Sequence, residues 1–168
     1  MFLVRISDYL TKLMMIIGAV WAFVLCFFIL ADITFRALNF PISGTKEIVA
    51  NSVVIIVFMQ VGFAIRSGSM LRADFLVFTL PLAVQRLLLI AAYVLGGVLF
   101  FVLLHAAITP AMRSFANGEF DGEGVLNVPV WPARFSIVFG AGLAGLNYLI
   151  LAITEIFNLK IDRMDLDY

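Results

Sequence analysis

Four long runs without a charged residue decide most of what this chain can become. They are Leu13–Ala31, Ile48–Ile65, Leu87–Met112 and Phe135–Thr154. An apolar stretch of about 18 residues or more crosses the roughly 30 Å hydrocarbon layer as a helix. A helix satisfies every backbone polar group within its own segment, which lipid cannot do for it. The composition agrees: 64% of the residues are hydrophobic and the mean hydropathy is +1.12. Soluble domains hold about 45–50% apolar residues, and a water-exposed fold of this size has too much surface to hide the excess. The expectation is an all-α integral membrane protein, a single domain over 1–168 with four transmembrane helices at about 13–31, 48–65, 87–112 and 135–154. The first run is longer than a signal-peptide core and lacks a cleavage site, so it reads as a retained span. The third run is too long for one perpendicular crossing and must tilt or begin in the headgroup layer.

Two further helical segments are expected. In the N-terminal stretch, Phe2, Leu3, Ile6, Tyr9, Leu10 and Leu13 share one helical face, and Arg5, Ser7, Asp8, Thr11 and Lys12 share the other. That amphipathic pattern fits a segment lying along the membrane surface, or equally a helical extension of the first span. Between the second and third spans, Ser67–Gly68–Ser69 supply a bend. Leu71, Phe75, Phe78 and Leu82 then form a stripe, which predicts a short interfacial helix over about 71–80, ending at Pro81.

Four spans put both termini on one side. That side carries Arg5, Lys12, Arg66, Arg72, Arg86, Lys160 and Arg163, against Arg36, Lys46, Arg113 and Arg134 on the other. The excess of basic residues places both termini in the cytoplasm. The outer loop between Arg113 and Arg134 is acidic, with Glu119, Asp121 and Glu123, and Trp131 stands where an aromatic belt anchor belongs.

Little in the spans carries chemistry. Lysine plus arginine and aspartate plus glutamate each number 11, so no basic field recruits nucleic acid. Gln60 and Asn147 lie about two-thirds of the way through the second and fourth spans, where an amide can hydrogen-bond between helices. His105 is the only histidine. A bis-histidine haem needs two, and no acidic partner shares its depth for a proton relay, so bonding to a backbone carbonyl or to a neighbouring subunit is the simpler role. Cys26 is the only cysteine and lies in an apolar run. No metal spacing, phosphate loop or catalytic triad is present, so neither an enzyme nor a cofactor is expected. Asp32 and Arg36 are spaced to pair at the outer end of the first span. Gly140 with Ala144, and Ala141 with Gly145, form small faces that let helices approach closely. A membrane chain without its own substrate path is most simply a scaffold, an anchor or an accessory subunit.

The charges around the second span carry a family likeness. Glu47 opens it, Arg66 closes it, and Gly68, Met70 and Asp74 follow. Gly44–Leu76 resembles the small, DctQ- or SiaQ-like membrane subunit of tripartite ATP-independent periplasmic (TRAP) transporters. That family shows an acidic residue opening the second helix and an Arg-x-Gly-x-His-x-x-x-Asp pattern after it. Here Met70 replaces the histidine, and Gln60 stands near a position where the family often has glycine. The resemblance implies a scaffold beside a large elevator-type membrane subunit, in the inner membrane of a bacterium. It implies sodium-driven uptake of an organic acid delivered by a periplasmic substrate-binding protein. On it, Glu47, Arg66, Gly68 and Asp74 are candidate interface or structural residues, and the polar groups within the spans, Gln60, Asn147 and His105, join them. Glu119, Asp121 and Glu123 are candidates for docking the binding protein. The partners expected are those two proteins and membrane lipids. The alternative is a membrane anchor of a quinone-linked respiratory enzyme. A four-helix drug exporter is disfavoured because no span holds a buried acid.

Overall fold

The computed structural model describes residues 2–40, 42–68, 81–122 and 127–157. The expected interfacial helix at 71–80, together with Met70, Asp74 and Glu123, lies outside the described residues. Four helices dominate: α1 (Phe2–Ala37), α2 (Thr45–Arg66), α3 (Leu82–Asn117) and α4 (Trp131–Ile156). All four are long and apolar enough to cross a membrane.

Each helix extends beyond its uncharged run, because nothing in the flanking residues breaks it. The 36 residues of α1 make roughly 54 Å of helix, well over one bilayer core. Its N-terminal stretch is continuous with the first span, so the backbone adopts the extension rather than a separate surface segment. Part of the polar face is also turned the wrong way for a surface helix, although Arg5 and Lys12 stay exposed. Ser7 and Thr11 are buried in the protein, while Ile6, Tyr9, Leu10 and Leu13 face outward.

Turn chemistry ends the helices. Asn39 takes the left-handed conformation (φ 64°), and the Phe40 and Asn39 amides return to the Phe35 and Arg36 carbonyls at 2.9 and 3.2 Å. This is a Schellman closure, which satisfies carbonyls that the last turn leaves open. Gly118 (φ 57°) closes α3 the same way, with the Glu119 amide on the Ser114 carbonyl at 3.0 Å.

In space the helices are ordered α1, α2, α4, α3, with α1 meeting α4 only marginally. The last helix is therefore the centre. In its most apolar window 39% of residues are buried, against 6% for α3. Its small residues explain how it accepts neighbours on two sides. Gly140 lies against the backbone of Phe58 on α2, and Gly145 against the ring of Phe101 on α3. Ala141 and Ala144 between them are fully buried. A second glycine contact joins the other pair: a Cβ on Gly18 of α1 would stand 3.1 Å from Cγ of Gln60 on α2.

The outer loop departs from the all-helical expectation. Phe120–Asp121 (β1) and Val128–Pro129 (β2) pair antiparallel, with Phe120 opposite Pro129 and Asp121 opposite Val128. The strands are two residues each and one contains proline, which the edge of a two-stranded ladder tolerates. Neither period nor composition marks such a pair in a glycine-rich acidic loop.

Candidate functional site

Polar side chains in this protein gather at the two ends of the bundle. The inner-end group, on the side of the termini, is the more deeply buried and joins three helices. Asn147 of α4 is its hub. The Ser7 hydroxyl on α1 donates to Asn147 Oδ1 at 3.0 Å. Asn147 Nδ2 donates to Thr11 Oγ1 at 3.2 Å and to the Gly62 carbonyl on α2 at 3.3 Å. Ser7 and Thr11 are one turn apart on α1, so both reach the same amide. Gly62 has no side chain to keep the amide away from its carbonyl, and its missing Cβ would stand 3.4 Å from Asn147 Nδ2.

One turn beyond Gly62, Arg66 is only 2% exposed. Its Nε donates to Asp8 Oδ1 at 2.8 Å and its Nη2 approaches Asp8 Oδ2 at 3.4 Å. Asp8 is 30% exposed, so the anion keeps a path to the headgroup layer while the guanidinium is enclosed. A buried charge survives only when paired and hydrogen-bonded. Gly68 follows in the left-handed region (φ 69°), its amide on the Ile65 carbonyl at 3.3 Å, and so turns the chain away from α2. This backbone conformation favours glycine.

At the outer end Asp32 is buried, and two neighbours tie it down. Arg36 Nη2 pairs with Oδ2 at 2.9 Å, and the Thr45 hydroxyl lies 3.0 Å from Oδ1. That hydroxyl is also 2.9 Å from the Ile42 carbonyl, so its one proton is shared. The cluster fixes the α1–α2 turn. On the other side of the outer face, Arg134 Nη2 pairs with Glu119 at 2.9 Å and Nη1 donates to the Pro110 carbonyl at 3.0 Å. Arg134 thereby holds the hairpin to the top of α3 and α4. Both partners are about one-third exposed, so the pair adds under about 1 kcal/mol of stability. Arg134→Met is expected to change thermal unfolding little and to speed proteolysis of the hairpin loop several-fold. Unchanged cleavage would show that the β-ladder alone holds the loop.

The expected site residues thus divide. Arg66 and Asn147 belong to one inner cluster. Gln60 packs over Gly18 and does not pair with Asn147. Glu47 is half-buried in the first turn of α2, where the helix dipole favours an anion, and its carbonyl accepts from Asn51 Nδ2 at 3.0 Å. His105 is exposed on α3. Glu119 is engaged by Arg134, while Asp121 is exposed on β1. Asp74 and Glu123 fall outside the described residues. Sequence reasoning missed Asp8 as the partner of Arg66, and Ser7 and Thr11 as partners of Asn147. The available signal was the 7/11 spacing on a helix that starts on the same side as Arg66 and the Asn147 end of α4. Among the described residues no group of three or more histidine, cysteine or acidic side chains could hold a metal.

What this arrangement can do is hold helices in a fixed relation. A family model for the DctQ component of tripartite ATP-independent periplasmic transporters matches residues 25–158, well over half of the chain. No curated protein and no solved structure matches it. The family is one of transporter components, not enzymes, and it leaves the respiratory-anchor alternative without support. With four apolar helices of spanning length, the chain is a multi-pass membrane protein and belongs to the DctQ component family of TRAP transporters.

Proposed function

We propose that this chain is a rigid scaffold beside a large elevator-type membrane subunit, in a transporter that takes up an organic acid. The uptake is sodium-driven, and a periplasmic binding protein delivers the substrate. The chain lies in the bacterial inner membrane with both termini in the cytoplasm. One observation carries the reading: the buried polar groups described at the inner end are spent on one another. Asn147 and Arg66 bond to Ser7, Thr11, Gly62 and Asp8 across three helices. Groups engaged in this way stiffen a bundle and do not line a path that must open and close. A static element for a moving partner is what such a bundle supplies.

In this reading the hairpin faces the binding protein. Asp121 is exposed there, and Glu123 follows in the same loop. Arg66 serves the bundle, and Glu47, half-buried at the outer end of α2, is the better placed of the two to meet a partner.

The test is reconstitution. The chain, its large membrane component and the binding protein are placed in liposomes, and uptake of labelled carboxylates is followed under an inward sodium gradient. Uptake is expected to require all three proteins and to stop when the gradient is collapsed. Full uptake by the large component and binding protein alone would overturn the scaffold role.

A further inference from the structure

The outward side of α3 carries a feature that lipid does not explain. α3 packs extensively only on α4. Opposite that contact, Ala91, Val98 and His105 follow at seven-residue intervals, with Val102 and Thr109 beside them, and all five are exposed. His105 is eight residues before Arg113, so its imidazole lies roughly 12 Å along the axis from the last basic residue of the helix, inside the apolar run. Its side chain has no hydrogen-bond partner among the described residues. Polar groups at such depth almost always face protein or a water-filled cavity, because hydrocarbon offers them no partner. The outward face of α1 makes the contrast. Between Leu13 and Leu30 its exposed residues are apolar, including Val20, Phe23, Val24 and Phe27, apart from the thiol of Cys26 and the indole N–H of Trp21. Over that length the face exposes no imidazole or hydroxyl, and lipid suits it better than the face of His105 and Thr109.

We propose that the face of α3 centred on His105 and Thr109 is the surface on which the large membrane component docks. The contact is a transmembrane helix bearing a hydrogen-bonding side chain at the level of His105. The proposal rests on the function given above. Its partner is chosen over a second copy of this chain for one reason. The buried polar groups at the inner end bond one another, so a transporter containing this bundle needs its substrate path in another membrane-embedded chain. The small exposed residues Ala91 and Ala106 let a second helix come close.

The experiment uses the co-expressed complex with a tagged large component. A photo-reactive phenylalanine analogue is placed at Val102, which is 63% exposed, and for comparison at Val20 on α1, which is 59% exposed. The Val102 probe is expected to cross-link to the large component, and the Val20 probe is not. His105→Leu should lower recovery of the complex roughly three- to tenfold, the scale of one interhelical hydrogen bond in a membrane. His105→Gln, which keeps a donor and an acceptor, should retain most of it. A Val102 cross-link to a second copy, or to lipid only, overturns the proposal while the wild-type complex still forms. Wild-type recovery of His105→Leu overturns the hydrogen bond on which it stands. If the wild-type chain captures no large component, the scaffold function itself falls, and the docking face with it.

Discussion

Gly140→Ala is expected to unfold this protein in detergent about 10 °C below the wild type, and Gly140→Leu to leave almost none of it folded. Gly140 sits on α4 where the helix meets the backbone of α2. A Cβ there would collide with the Phe58 carbonyl oxygen and stand 2.8 Å from the Phe58 Cβ. Neither atom is the free end of a side chain. Relief requires α2 and α4 to separate, which strips contacts along the whole seam. Overpacking a core costs about 1–3 kcal/mol when side chains can yield; a backbone obstacle puts this site at or above that range. For a chain of this length each kcal/mol lowers the midpoint by about 2–4 °C. Gly142→Ala is the control, because its Cβ would meet only the methyls of Leu104 at 3.8 Å, an ordinary contact. Thermal unfolding of the three purified variants decides the matter. Equal midpoints for Gly140→Ala and Gly142→Ala would show that the seam is looser than its geometry.

Why some of this was legible in the sequence and some was not follows from what each residue needs. The four spans were legible because hydrocarbon imposes a length and forbids charge, and both can be counted along the chain. The small faces at Gly140–Gly145 were legible as packing, because glycine and alanine at helical spacing have few other uses in a membrane. Their partners were not, since Phe58 and Phe101 look like any other phenylalanines. The inner cluster was half legible. Asn147 and Arg66 stand out as polar residues against an apolar background. Asp8, Ser7 and Thr11 do not, because they belong to a stretch whose amphipathic pattern fits a surface helix as well as a buried one. Periodicity says that one face is polar; it does not say which way that face looks. Here Ser7, Asp8 and Thr11 turn inward, while Arg5 and Lys12 stay exposed, because Arg66 on α2 and Asn147 on α4 need partners that lipid cannot supply. The family match begins at residue 25, so it too leaves Ser7, Asp8 and Thr11 unmarked.

That inward turn makes the second large effect asymmetric. Asp8→Asn is expected to cost more stability than Arg66→Met, although both remove the same ion pair. Arg66 is 2% exposed and would be left as an enclosed cation facing a neutral amide. Stranding a buried charge costs about 3–5 kcal/mol, and the amide oxygen would recover part of this by accepting one hydrogen bond. Arg66→Met instead strands Asp8, which is 30% exposed and near enough to the headgroup layer to be solvated, and the methionine keeps most of the buried volume. The double variant then removes both charges. Its loss is expected to be smaller than the sum of the two single losses by about 1–3 kcal/mol, the range for residues in direct contact. Unfolding equilibria of all four proteins in one mixed micelle close the cycle. The same set also discriminates this pair from the amide hub next to it. Asn147→Leu removes three hydrogen bonds and no charge. Its cost should therefore simply add to that of Arg66→Met, whereas the Asp8→Asn loss should be partly relieved by Arg66→Met, because the enclosed cation is then gone. If the two single losses are equal and simply add, Arg66 finds another anion in the folded protein, and the contact with Asp8 does not hold α1 to α2.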